Sequence, residues 1–109
     1  MGLPPEAAIA KEEFFGPVAM IFPFRTEEEA IRLANITDFG LSAAVWSRDL
    51  VRARRVARAI ESGTVFINDF TRTDPRAPFG GFKASGYGRE LGAPGARELT
   101  NPKVIWEAA

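Results

Sequence analysis

Between residues 18 and 67, three short apolar runs alternate with two stretches of helical periodicity, and this alternation leaves few folds open to the chain. Val18 to Phe24 reads as a buried or edge strand, with Pro23, which has no N–H for a ladder, near its end. Leu41 to Trp46 gives a second strand and Val65-Phe66-Ile67 a third. Thr26 followed by Glu29 forms a capping box, in which the hydroxyl takes a free N–H while the glutamate reaches back. Ala30, Ile31, Leu33 and Ala34 then make one apolar face, and Gly40 marks the exit. Asp49 caps a second helix running to about Ser62, with Ala53, Val56, Ala57 and Ile60 on one stripe; Gly63 is placed to end it in a left-handed conformation. Strands alternating with helices predict an α/β fold: a small parallel sheet, mixed at its edge, with flanking helices and right-handed crossovers.

From Asn68 to Gly92 the periodicity stops, and glycines, prolines and charges take over. A long ordered loop in a small domain is usually functional. A short helix is predicted near Gly95 to Leu99, and Val104-Ile105-Trp106 reads as a terminal strand. No repeat or linker interrupts the 109 residues, so one unit is expected.

Composition removes several kinds of chemistry. Zero cysteines exclude a disulfide framework and a thiolate metal site, and zero histidines remove the commonest remaining metal ligand and acid/base group. Fourteen basic and fourteen acidic residues cancel, so net charge gives no steering toward nucleic acid or an anionic membrane. The arginines at 48, 52, 54, 55 and 58 have no interleaved aromatics to stack on bases and belong to a helix's wet side. No apolar run approaches the ~20 residues of a membrane helix. The start, Met1-Gly2-Leu3-Pro4-Pro5-Glu6, carries neither a signal peptide nor a myristoylation site, which leaves the cytoplasm as the expected location.

Two segments carry the candidate chemistry. In Lys11-Glu12-Glu13-Phe14-Phe15-Gly16-Pro17-Val18, adjacent carboxylates precede a Gly-Pro turn. Neighbours on an extended chain face opposite ways, so only one carboxylate would enter a given site; the alternative is a solvated surface. A single carboxylate suits a ribose diol, because it can accept from both hydroxyls. In Pro78-Phe79-Gly80-Gly81-Phe82-Lys83-Ala84-Ser85-Gly86-Tyr87-Gly88-Arg89-Glu90 the glycines match no phosphate-loop order. They read as a tight loop with positive backbone angles at Gly81, Gly86 and Gly88.

Both segments resemble signatures from the C-terminal part of the NAD(P)-dependent aldehyde dehydrogenases. The resemblance implies that Glu13 holds the nicotinamide ribose, that Phe15 packs beside it, and that Phe79 helps to wall the aldehyde tunnel. It gives Lys83, Arg89 and Glu90 the task of holding the loop to neighbouring chain. The segment Val65-Phe66-Ile67-Asn68 with Thr73-Asp74-Pro75-Arg76 is similar to the succinate-semialdehyde dehydrogenase group, where a loop hydroxyl helps to bind the distal carboxylate. Thr73 is the candidate for that hydroxyl, although the group often has serine there. Other semialdehydes, lactaldehyde and aliphatic aldehydes stay open, as does the choice of NAD or NADP.

By this resemblance, residues 9–100 belong to a catalytic domain and 101–109 to an oligomerisation strand, together about the final quarter of a family member. Family members oxidise aldehydes through a cysteine thiohemiacetal, hydride transfer to nicotinamide, and release by a glutamate-activated water. No residue of this chain supplies the nucleophile or that base, so no catalytic residue is assigned. The expectation is a C-terminal piece that is inactive alone and does not bind NAD or NADP tightly. Its partners would be the remainder of the enzyme and a second subunit through the terminal strand. The alternative is a freestanding binding or assembly module that kept the fold without the chemistry.

Overall fold

A computed structural model describes residues 3–108. The start at Met1-Gly2 and position 109, the last of the expected oligomerisation strand, lie outside them. The elements are α1 (Glu27–Ala34), β1 (Phe39–Gly40), β2 (Ser42–Val45), α2 (Leu50–Ala59), β3 (Thr64–Ile67), β4 (Phe82–Lys83) and α3 (Gly92–Glu98), after a 3-10 turn at Ala8–Lys11.

The centre is one βαβ unit. β2 and β3 pair in parallel, Ser42 opposite Thr64 through Val45 opposite Ile67. α2 lies against both strands, and α1 against α2. The helix starts are set locally, as their sequences predict. Thr26 Oγ1 accepts from the Glu29 N–H at 3.2 Å, and Asp49 Oδ1 accepts from the Arg52 N–H at 2.9 Å. Glu29 does reach back, but it takes the Arg25 N–H rather than that of Thr26. On α2, Ala53 is fully buried and Val56, Ala57 and Ile60 are half-buried, so the predicted stripe is the packed face. α2 stops at Ala59 rather than Ser62, because Ile60 already has extended angles.

Beyond this unit the sequence expectations need correction. Val18 to Phe24 forms no strand, and neither does Val104 to Trp106. A strand exists only when its N–H and C=O groups find a ladder partner. Among the described residues nothing pairs with either segment, and Ile21, Val104, Ile105 and Trp106 are all at least four-fifths exposed. The parallel sheet therefore has two strands rather than three. A second sheet, unforeseen, pairs β1 with β4 antiparallel, Phe39 opposite Lys83 and Gly40 opposite Phe82.

Gly63 also departs from expectation: its φ is not positive, and it is required by close approach instead. A Cβ there would sit 1.6 Å from the Gly80 carbonyl oxygen. Gly86 and Gly88 do have positive φ, at 113° and 79°, whereas Gly81 is packed against Ser85 without it. The Cα radius of gyration is 18.2 Å, against about 13 Å for a compact domain of this length. The chain is elongated, 74 × 32 × 25 Å.

An ion-pair group staples α1 to α2. Arg55 donates to both oxygens of Glu27 at 2.6 and 2.7 Å, and Arg52 approaches Glu27 and Asp49 at 3.6 and 3.9 Å. Part of the arginine run is thus turned toward the chain's own carboxylates. The hydrogen bond from Arg55 holds the Glu27 carboxyl below the ordinary glutamate value of 4.5. A depressed folded-state value stabilises the fold above the unfolded value and is lost as pH falls through the folded one. Urea midpoints should therefore fall between neutral pH and the acid side of 4.5, and Glu27→Gln should shrink that fall. Identical acid losses in both proteins would show that the pair is only a surface contact.

Candidate active-site segment

Glu13 is exposed in the stretch after the 3-10 turn and stands at an open cleft with Thr37, Phe39, Gly40, Ala84 and Ser85. No ion pair among the described residues involves its carboxylate. Three hydroxyl side chains line the cleft, those of Thr37, Ser42 and Ser85. Ser85 Oγ accepts from the Gly40 N–H at 3.0 Å and Thr37 Oγ1 from the Phe39 N–H at 3.2 Å, which leaves both O–H hydrogens to donate elsewhere. An unpaired carboxylate facing hydroxyl donors fits a ligand rich in hydroxyl groups, as a ribose is.

Phe15 does not line that cleft. It is 93% exposed and has a φ of 31°, a left-handed conformation that costs a bulky residue about 1–2 kcal/mol. The turn also bonds the Val18 N–H to the Gly16 carbonyl at 2.7 Å. Spacing alone puts the special backbone at Gly16-Pro17; the structure puts it on the aromatic itself. Strain of this kind gathers at binding sites.

The second segment lines a separate cleft, with Thr64, Phe66, Arg72, Asp74 and Phe79 on its walls. Thr73 is exposed and outside this lining, between two residues that belong to it. Both loop arginines are engaged. Arg72 pairs with Asp69 at 2.8 Å, and Arg76 grips both oxygens of Asp74 at 2.9 and 2.6 Å. That grip holds the Asp74 carboxyl below its usual range and raises Arg76. Thr64 Oγ1 is buried in the same wall without a hydrogen-bond partner.

Phe79 is half-buried and fixed through its backbone, exchanging N–H···O bonds of 2.7 and 2.8 Å with Glu90. It also borders an intermediate cleft with Leu41, Ser85 and Arg89, and Leu41 and Ser85 border the Glu13 cleft in turn. The two predicted sites are thus joined by shared walls, although Glu13 and Thr73 do not meet.

The glycine-rich loop is anchored as expected, and more heavily. Arg89 donates to the Gly81 and Gly88 carbonyls and lies 5.3 Å from the centre of the Phe82 ring. Lys83 reaches Asn35, Thr37 and Glu61. Sequence reasoning missed two asparagines. Asn35 donates to the Ala59 carbonyl and accepts from the Glu61 N–H, tying the end of α1 to the chain after α2. Asn68, at φ 54°, exchanges two bonds with the Ser47 backbone and so prolongs the β2–β3 ladder. Their only sequence signal is position, each just past a periodic element.

No helix among the described residues is long and apolar enough to cross a membrane. The model of the aldehyde dehydrogenase family matches residues 1–105. A Synechocystis protein named probable NADP(+) succinate-semialdehyde dehydrogenase is 50% identical over 106 residues, covering 97% of this chain and 23% of that protein. Human retinaldehyde dehydrogenase 3 is 53% identical over 97 residues, 89% of this chain and 19% of that protein. Betaine aldehyde dehydrogenase from Staphylococcus aureus, solved without cofactor, superposes with a TM-score of 0.86 at 43% identity, over 99% of this chain and 24% of that one. The same enzyme solved with NAD+ gives 0.85 at 44% identity, over 98% of this chain and 23% of that one. This chain therefore spans about a quarter of the length of the relatives it matches. With both signatures in place and the match running along nearly all its length, the chain belongs to the aldehyde dehydrogenase family.

Proposed function

We propose that residues 1–109 form the C-terminal part of an NAD(P)-dependent aldehyde dehydrogenase, an oxidoreductase whose nucleophilic cysteine and dinucleotide-binding region lie outside them. The observation that carries this is Glu13, a carboxylate in no ion pair among the described residues that lines one cleft with the hydroxyl side chains of Thr37, Ser42 and Ser85. Glu13 accepts from the nicotinamide ribose, and Phe15 packs beside it. The cofactor, when bound, supplies the hydride acceptor. Phe79, held by its bridge to Glu90, walls the passage for the aldehyde. Val104 to Trp106, exposed and unpaired in the single chain, adds to the sheet of a second subunit. A cytoplasmic location goes with these assignments.

Succinate semialdehyde is the proposed substrate, with Thr73 donating to its distal carboxylate. Arg72 and Arg76 are committed to Asp69 and Asp74, so the arginine that pairs with that carboxylate comes from elsewhere in the enzyme. The test is a panel of succinate semialdehyde, betaine aldehyde and an uncharged aliphatic aldehyde, given with NAD and with NADP to the full-length enzyme. Thr73→Val should raise KM for succinate semialdehyde by about tenfold, the scale of one lost hydrogen bond to a charged group. It should leave the uncharged aldehyde nearly unchanged. No aldehyde-dependent reduction with either cofactor would refute the activity; equal effects of Thr73→Val on all substrates would refute the substrate.

A further inference from the structure

We propose that Lys83 is a positioning residue for cofactor binding, because its ammonium fixes the wall of the cleft that Glu13 shares; this rests on the ribose role given to Glu13. An ammonium has three donors, and this one uses all of them. Lys83 Nζ lies 2.8 Å from the Asn35 carbonyl, 3.1 Å from the Thr37 carbonyl and 2.8 Å from Glu61 Oε2. Its side chain is only one-quarter exposed, so the charge-assisted bonds are partly shielded from water.

Each contact leads to the cleft. Thr37 is part of its lining, and Asn35 ends α1 just before it. Glu61 is fixed in turn, its N–H bonded to the Asn35 side chain. Ala84 and Ser85, which follow Lys83 in sequence, also line the cleft. The backbone link between these walls is slight: β1 and β4 have two residues each, supplemented by the Ala84 N–H to the Asp38 carbonyl and the Gly40 N–H to Ser85 Oγ. Lys83 itself has a φ of 53°, which turns the chain so that its side chain returns across the β1 approach while Ser85 enters the cleft. One cation thus ties the Asn35 and Thr37 carbonyls and Glu61 to the strand that leads into Ala84 and Ser85.

The position calls for a point charge with three divergent donors. Arginine carries a planar fork and does not reproduce the set. Removing the ammonium lets the Thr37 and Ser85 walls separate, and loosened positioning weakens ligand placement more than it weakens the fold.

The test uses the full-length dehydrogenase and its Lys83→Met, Glu61→Gln and Glu13→Gln variants, with melting temperature and the KM for NAD(P) and for aldehyde measured on each. Lys83→Met should raise the cofactor KM by about tenfold and lower kcat, since small positional errors are amplified at a reacting centre. The aldehyde KM should change by less than about twofold, because aldehyde does not use this wall. Glu61→Gln, which leaves both carbonyl bonds, should raise the cofactor KM by about threefold. A lower melting temperature with an unchanged cofactor KM in Lys83→Met overturns the proposal. If that variant does not fold, Glu61→Gln decides, and a wild-type cofactor KM there overturns it. A raised cofactor KM in Lys83→Met beside normal hydride transfer in Glu13→Gln supports Lys83 and removes the role of Glu13. Slow hydride transfer in Glu13→Gln beside normal cofactor binding in Lys83→Met does the opposite.

Discussion

The 109-residue chain, purified alone, is expected to show no aldehyde-dependent reduction of NAD or NADP. The family's chemistry needs a thiolate to attack the carbonyl, and the chain has no cysteine. No histidine could activate a serine or threonine in its place. The hydroxyl oxygens of Thr37 and Ser85 already accept backbone N–H bonds, and the Lys83 ammonium is held by three acceptors. Among the described residues no cluster of three carboxylates could hold a metal as a substitute electrophile. Enzymes accelerate reactions by about 10⁶-fold or more, so loss of the covalent route leaves nothing measurable. A cofactor-reduction assay at high protein concentration checks this. Turnover that disappears on Glu13→Gln in a preparation free of contaminating dehydrogenase would overturn it.

What could be read from the sequence follows the range of the interactions involved. Thr26 and Asp49 cap their helices within three residues, so their hydrogen bonds are visible in the spacing of side chains. The α2 stripe needs only helical periodicity, and β2 and β3 only a crossover of matching length. Val18 to Phe24 and Val104 to Trp106 are equally apolar, but a strand also needs a partner ladder, which their own sequences do not contain. The same limit hides β1 and β4, where two-residue strands are joined across more than forty positions.

Glycine was legible where conformation mattered and misleading where packing did. Gly86 and Gly88 turn with positive φ, while Gly63 and Gly81 admit another backbone or Ser85 at a distance no Cβ would allow. At the site, motif order led to Glu13 and Phe79, and both line clefts. Thr73 stands outside that cleft, between Arg72 and Asp74, which line it.

In the full-length enzyme, Glu13→Gln is expected to leave the fold intact and to slow hydride transfer by about 10²-fold, the scale of a small misplacement of reacting groups. Glu13 is exposed and joins no ion pair among the described residues, so its replacement removes little stability. The carboxylate offers two acceptor oxygens to a ribose diol, whereas glutamine offers one acceptor and presents a donor where the second hydroxyl would bind. One hydroxyl must then accept instead of donate, the ribose tilts, and the nicotinamide ring that it carries moves away from the aldehyde. Attack by the enzyme's cysteine does not depend on that alignment, so the loss falls on the hydride step alone. Single-turnover kinetics with a deuterated aldehyde separate the two steps. The variant should show a larger isotope effect on kcat than the wild type, because the slowed step becomes rate-limiting. Equal hydride-transfer rates in the two enzymes would mean that Glu13 is a surface carboxylate and that the cleft beside Thr37 and Ser85 does not hold the ribose.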